Sequence, residues 1–314
     1  MNRQIARLGV TILVLFGLLF LQINRLQVVD STKLADAAGN HVATVKVFST
    51  DRGPIVTANG ALVAYSKPTP GPYHYQRTYP NGPLYADVSG YFSLIYGLSG
   101  VESAYNSYLM AHPAPVRSLS DLLNPAMETD EVVLTLQSQL QAVAQKALGN
   151  LKGAVVALDP ASGAVLAMYS NPSYDPNPLA SQSATTEEAA WQRYSDDPAQ
   201  PMLARAYRRS YAPGSTFKIV TSAAVYDQDP SLATRSYPVE SSIPLPDTSH
   251  RLHNYAAEAC GGAMPELFKV SCDTGYAQIG LDLGADRLAR EASRFGFNQV
   301  PPLDLPAVPS TLPP

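Results

Sequence analysis

The sequence predicts an α+β chain: an N-terminal transmembrane helix, a mixed α/β domain, and a further domain with an antiparallel sheet flanked by helices. An apolar run without charge, Leu8 to Ile23, opens the chain after a short polar segment. Further on, a helical pattern over Thr135–Leu148 is followed by two apolar runs, Gly153–Leu158 and Ala164–Ser170, around the turn Asp159-Pro160-Ala161-Ser162-Gly163. Helix then hairpin, with helical segments returning after Ser215 and after Pro265, is the α+β pattern.

Apolar character resumes beyond Ile23 through Leu26, Val28 and Val29, despite Gln22, Asn24, Arg25 and Gln27. A helix over residues 8–29 is long enough to span a bilayer. Arg3 and Arg7 precede it, so residues 1–7 are expected in the cytoplasm and the main domains outside. A cleaved signal peptide is the competing reading. Its best site, Ala35-Asp36-Ala37, lies far beyond the apolar run.

The formal net charge of −4 and the lack of a basic stripe argue against a nucleic-acid partner. The five His are scattered and no Cys/His spacing suits a metal, so neither metal nor cofactor is expected. Cys260 and Cys272 could pair in an oxidising compartment, or stay two free thiols. A bond would close a short loop and add roughly 3 kcal/mol. The chain beyond the anchor is long enough for two domains, set at residues 30–149 and 150–314.

In the first of these, Val42–Val47 and Ala61–Tyr65 read as strands, with Asn59-Gly60 as a turn signal. Arg52 and Glu102 read as a structural ion pair. Leu136, Leu140, Val143, Ala144 and Leu148 fall on one face of the helix that Gly149-Asn150 ends. The hairpin after it reads as buried. Asn171–Gln200 reads as a polar surface excursion, with Trp191 its dense apolar point. Pro230–Asn254 reads as loop and Pro265–Leu283 as helix. After Phe297 the chain is proline-rich, and no packed element is legible there.

The chemistry centres on Ala212-Pro213-Gly214-Ser215-Thr216-Phe217-Lys218. Pro and Gly break the preceding segment, so Ser215 opens a helix with Lys218 one turn later on the same face. A hydroxyl beside an amine is an activated nucleophile for acyl transfer. The bare pattern is weak: 28 Ser and 7 Lys in 314 residues give about 0.6 chance occurrences of Ser-x-x-Lys. A capping serine followed by a solvated lysine explains four residues equally well.

The surrounding segments change that balance. The anchor, Arg52-Gly53-Pro54-Ile55, Tyr79-Pro80, Met168-Tyr169-Ser170-Asn171-Pro172-Ser173-Tyr174-Asp175-Pro176-Asn177, the Ser215 segment and Ser271-Cys272-Asp273-Thr274-Gly275-Tyr276-Ala277 occur in this order. Together they resemble a class B penicillin-binding protein of the penicillin-binding protein A type, up to about Phe297. The resemblance implies a pedestal or dimerisation-type domain over 30–149 and part of a transpeptidase domain over 150–314. It implies a D,D-transpeptidase that cross-links peptidoglycan stem peptides ending in D-Ala-D-Ala and is acylated by β-lactam antibiotics. Membrane attachment and wall-synthesis or division proteins as partners come with it.

On this resemblance Ser215 is the nucleophile, Lys218 its base, and Ser271 the hydroxyl that relays the proton. Thr216 and Asp273 are substrate-binding candidates. The position of Asp273 is usually Asn in the family. Asn donates and accepts, whereas an ionised Asp only accepts, and a carboxylate beside Lys218 stabilises the ammonium form. The family's Lys-Thr-Gly strand is missing, since no lysine here precedes Thr-Gly or Ser-Gly. The chain is therefore expected to be a transpeptidase cut short.

A bifunctional class A protein is disfavoured, because residues 30–149 are too few for a glycosyltransferase domain and a linker. A β-lactamase or β-lactam sensor shares Ser-x-x-Lys, but the long segment with Arg52-Gly53 and Tyr79-Pro80 argues against both. The alternative outside enzymes is a catalytically dead, membrane-anchored scaffold of a cell-wall synthesis complex.

Overall fold

The computed structural model describes residues 2–29, 48–70, 73–115, 118 and 127–313. Helix α1 (Asn2–Asn24) runs on through a π-helical turn, Arg25–Val29. Within it Gly9–Gln27 is long and apolar enough to cross a membrane. The expected strand Val42–Val47 lies outside the described residues. Packing divides the chain into two compact units, Met1–Met202 and Leu203–Pro314.

The first unit holds a four-stranded sheet made of β1 (Ile55–Val56), β2 (Leu62–Pro68), β3 (Tyr75–Thr78) and β4 (Val132–Val133), in the order β3-β2-β1-β4. β1 and β2 are antiparallel, joined by the Asn59-Gly60 turn, and β4 lies parallel to β1. Arg52 and Glu102 do pair, within a larger cluster. Arg52 Nε and Arg77 Nε each donate to a Glu102 carboxylate oxygen at 2.6 Å, and the Tyr79 hydroxyl donates to Oε1 at 3.1 Å. All four side chains are buried. Burial by itself raises the Glu102 carboxyl, but Arg77 and Arg52 outweigh it and hold the group below its ordinary value.

Two of the sequence motifs meet here. The Asn177 amide accepts from Tyr79 N–H and donates to Tyr79 C=O, both at 2.9 Å. The segment 171–200 is no surface excursion: α4 (Ala184–Ser195) and the turn Asn177–Ala180 carry Tyr174, Leu179 and Ala190 into a core with Ala86 and Tyr91. Trp191 stacks on Tyr96 with ring centroids 4.2 Å apart. Glutamate 187 is buried too, accepting from Ser93 Oγ and from the Leu94 and Ile95 N–H groups. Polar residues between these anchors hide the apolar face in the sequence. Helix α2 (Gly82–Ser89) contributes Ala86 to the same core.

Helix α3 (Ser138–Leu148) packs on the antiparallel hairpin of β5 (Gly153–Leu158) and β6 (Val165–Asn171). Its buried face is the expected one only in part: Leu136 and Ala144 are buried and Leu148 packs against the same cluster. Leu140 is 41% and Val143 61% exposed, while Gln141 and Ala144 are buried. Gln141 bonds both backbone groups of Met168: its Nε2 donates to the carbonyl at 2.6 Å and its Oε1 accepts from the N–H at 2.8 Å. An amide that satisfies a strand's polar backbone wins the inward position over an aliphatic side chain that cannot. The hairpin is buried mainly through β6, since Val156 and Leu158 of β5 stand exposed. Packing thus groups the hairpin with the first unit.

The second unit is built on α5 (Phe217–Gln228), α6 (Met264–Lys269), α7 (Asp273–Leu283) and α8 (Ala285–Arg294). Ala224, Val225, Leu267, Ile279 and Leu283 form its core. Fully burying one such Leu or Ile contributes roughly 1.5–3 kcal/mol. The stretch expected as loop between Pro230 and Asn254 holds β7 (Tyr237–Glu240), β8 (Ser242–Pro244) and β9 (Arg251–His253); β8 pairs with β9, and β7 with β10 (Cys260–Gly262). The proline-rich end is also tied down: Leu305 is buried and Val308 N–H donates to Tyr207 C=O at 2.9 Å.

Candidate active site

Gly214 adopts φ +55° immediately before Ser215, a left-handed conformation that Gly accepts without strain. Ser215 then sits in a 3₁₀ turn, Gly214–Thr216, that leads into α5. This tight entry replaces the simple helix start expected, yet keeps Ser215 and Lys218 on one face. Lys218 Nζ lies 3.3 Å from Ser215 Oγ.

Ser271 reaches the same point from another element. It occupies the left-handed C-terminal position of α6, at φ +54°. Ser271 N–H donates to Phe268 C=O at 3.1 Å and Cys272 N–H to Leu267 C=O at 2.9 Å, the paired bonds that close a helix end. Glycine is usual there, so a serine costs about 1 kcal/mol. The close approach of α6 to α7 also depends on Gly275, where a Cβ would stand 2.6 Å from Leu267 Cδ2.

The resulting cluster is tight. Lys218 Nζ donates to Ser271 Oγ at 3.0 Å, to Ser271 C=O at 2.6 Å and to Asp273 Oδ1 at 2.6 Å. Ser271 Oγ lies 3.1 Å from Ser215 Oγ. The Lys218 side chain is only 10% exposed and that of Asp273 33%. Ser215 itself is exposed. A shielded amine beneath an exposed hydroxyl, with a second hydroxyl touching both, can take a proton from the nucleophile and pass it on.

Ser215, Lys218, Ser271 and Asp273 therefore come together. Thr216 does not join them: its hydroxyl donates to Pro213 C=O at 2.6 Å. Cys260 and Cys272 are bonded, which ties β10 to the residue between Ser271 and Asp273. Among the described residues no group of His, Cys, Asp and Glu could hold a metal ion.

Sequence reasoning missed two supporting residues. The Tyr276 ring lies with its centroid 5.6 Å from Lys218 Nζ, within reach of a cation–π contact, and its hydroxyl hydrogen-bonds Ser222 at 2.7 Å. Burial pushes the Tyr276 phenol up. Its spacing of three residues from Asp273 on one helix was the available signal. Asn254 is the other: its Oδ1 accepts from Thr274 N–H at 2.9 Å, and its Nδ2 donates to the Glu240 and Glu258 carbonyls at 2.8 Å. It holds the start of α7 in place, and nothing in its local sequence announces this.

The fold and this cluster point to the penicillin-binding class of proteins. Residues 153–313 match the penicillin-binding protein transpeptidase domain, and residues 52–128 the penicillin-binding protein A dimerisation domain. The chain belongs to the penicillin-binding protein transpeptidase family.

It is 37% identical to peptidoglycan D,D-transpeptidase PbpA of Mycobacterium tuberculosis, across 100% of this chain and 66% of that one. It is also 37% identical to PbpA of Mycolicibacterium smegmatis, across 96% of this chain and 64% of that one. The ceftriaxone acyl-enzyme complex of penicillin-binding protein A from M. tuberculosis superposes with TM-score 0.79 at 36% identity, covering 86% of this chain and 63% of that chain. The chain thus spans 64–66% of the length of these curated relatives.

Proposed function

We infer that this chain carries the acylation centre of a peptidoglycan D,D-transpeptidase. The observation that carries the reading is the triangle of Lys218 Nζ, Ser215 Oγ and Ser271 Oγ, with sides of 3.3, 3.0 and 3.1 Å. Ser215 Oγ attacks the penultimate carbonyl of a stem peptide ending in D-Ala-D-Ala. Its proton passes to neutral Lys218, and Ser271 relays that proton to the departing nitrogen. The C–O bond forms as the C–N bond breaks, D-Ala leaves as the amine, and an acyl-enzyme remains. The amine of a neighbouring stem peptide then takes the acyl group and frees Ser215. A β-lactam enters the same first step, but its nitrogen stays tethered after the ring opens.

The developing oxyanion is held by backbone N–H groups, that of Ser215 at the head of α5 among them. The transpeptidase domain begins near residue 150 and the segment 30–149 forms the pedestal. Residues 8–29 anchor the protein, with residues 1–7 in the cytoplasm and Ser215 on the outer side, facing peptidoglycan and the wall-synthesis or division proteins that work there.

Labelling of the full chain in detergent with a fluorescent penicillin tests this. Covalent label on the wild type, absent from Ser215→Ala, is the expected result. Equal labelling of both would place the nucleophile elsewhere, and no labelling of the wild type would leave the scaffold role as the better reading.

A further inference from the structure

We propose that Asp273 makes this acylation centre selective for acyl donors that carry a cationic group beside the amide next to the scissile carbonyl. The proposal rests on the reading of Ser215 as the acylated residue. Asp273 Oδ1 is engaged by Lys218 Nζ at 2.6 Å, yet 33% of the Asp273 side chain remains exposed, and Ser215 is exposed as well. The carboxylate is one hydrogen bond from the base, and the base one hydrogen bond from the nucleophile.

Charge balance during the reaction supplies the selectivity. In the resting cluster the Lys218 ammonium neutralises Asp273. Before Lys218 can take the Ser215 proton it must give up one of its own to solvent, and Asp273 is then left without its counter-charge in a half-buried setting, which is costly. An ammonium group on the donor restores the balance at the exposed carboxylate edge. A neutral substituent does not, and an anionic one adds repulsion. An Asn at this position would carry no charge to compensate and would impose no such preference. The chemical step is unchanged: the Ser215 Oγ–acyl bond forms, the acyl C–N bond breaks, and the Ser215 proton ends on the departing nitrogen.

The test compares second-order acylation rates of the full chain and of Asp273→Asn. The probes are ampicillin, with an ammonium beside the side-chain amide, carbenicillin, with a carboxylate there, and benzylpenicillin, with neither. In the wild type the ampicillin-to-carbenicillin rate ratio should exceed that in Asp273→Asn by about fivefold or more, the size expected for one partly exposed charge pair. On the wild type alone, the ratio should shrink toward that of the variant as salt rises to about 1 M, because exposed charges are screened. Equal ratios in the two proteins, or a wild-type ratio indifferent to salt, would overturn the selectivity while leaving Ser215 as nucleophile. Failure of all three penicillins to acylate the wild type would overturn the reading of Ser215 and the selectivity with it.

Discussion

Lys218 and Asp273 form an ion pair at 2.6 Å, shorter than the 3.3 Å that separates the same amine from Ser215 Oγ. The proposed base is thus held more closely to a carboxylate than to the hydroxyl proposed as nucleophile. Lys218→Arg distinguishes these roles. A guanidinium keeps the charge and can keep the pair, but it does not give up its proton near neutral pH. Penicillin labelling by this variant should fall by roughly 100-fold or more, the scale of a lost general base. Its melting temperature should stay close to that of the wild type, measured by circular dichroism.

Ser271 combines the hydroxyl proposed as proton relay with a left-handed backbone, and two substitutions separate them. Ser271→Ala removes the hydroxyl and keeps the strain, whereas Ser271→Gly removes both. Each should slow penicillin acylation by about 100-fold. The glycine variant should nevertheless be more stable than the alanine variant by about 1 kcal/mol in urea unfolding. Equal stabilities would mean that φ +54° costs nothing here.

Cys260–Cys272 anchors the residue that lies between Ser271 and Asp273. Reduction should therefore lower the thermal midpoint, reflecting loss of the roughly 3 kcal/mol that closing a loop of this length supplies. It should also slow acylation, as the loop that presents Ser271 relaxes. An unchanged midpoint with dithiothreitol would show that the bond does not brace this segment.

Acid should act elsewhere, on the Arg52–Glu102–Arg77 cluster. Burial opposes the Glu102 charge, and Arg77 and Arg52 more than compensate, so the carboxyl lies below its unfolded value of 4.5. Its stabilisation is complete above that unfolded value and is lost as pH falls through the lower folded one. Glu102→Gln leaves two buried guanidinium groups without their anion and should cost about 3–5 kcal/mol at neutral pH. The stability difference between the variant and the wild type should narrow on acidification below about pH 4.5, as read from urea unfolding across pH.

The cluster of Ser215, Lys218, Ser271 and Asp273 was legible where its residues lie in contiguous motifs: Ser215 and Lys218 share one turn, and Ser271 and Asp273 flank Cys272 at the junction of two helices. The hairpin was legible because its two apolar runs flank an Asp-Pro and Gly turn. What escaped depends on tertiary contact. The inward turn of Gln141 is decided by the backbone of Met168, and the helix Ala184–Ser195 buries Ala190 amid polar neighbours. Tyr276 matters only because α5 arrives beside it, and Asn254 only because the chain after β9 passes the start of α7. The short strands between Tyr237 and His253 pair across gaps that no local propensity records.

Whether Ser215 forms the acyl-enzyme is decided by where the covalent bond lies. The full chain would be incubated with benzylpenicillin, quenched in acid, digested and mapped by mass spectrometry. A single adduct, with the mass of intact benzylpenicillin, is expected on Ser215, and none in Ser215→Ala. An adduct on Ser271 or any other residue, or an unmodified wild-type Ser215 peptide, would contradict it.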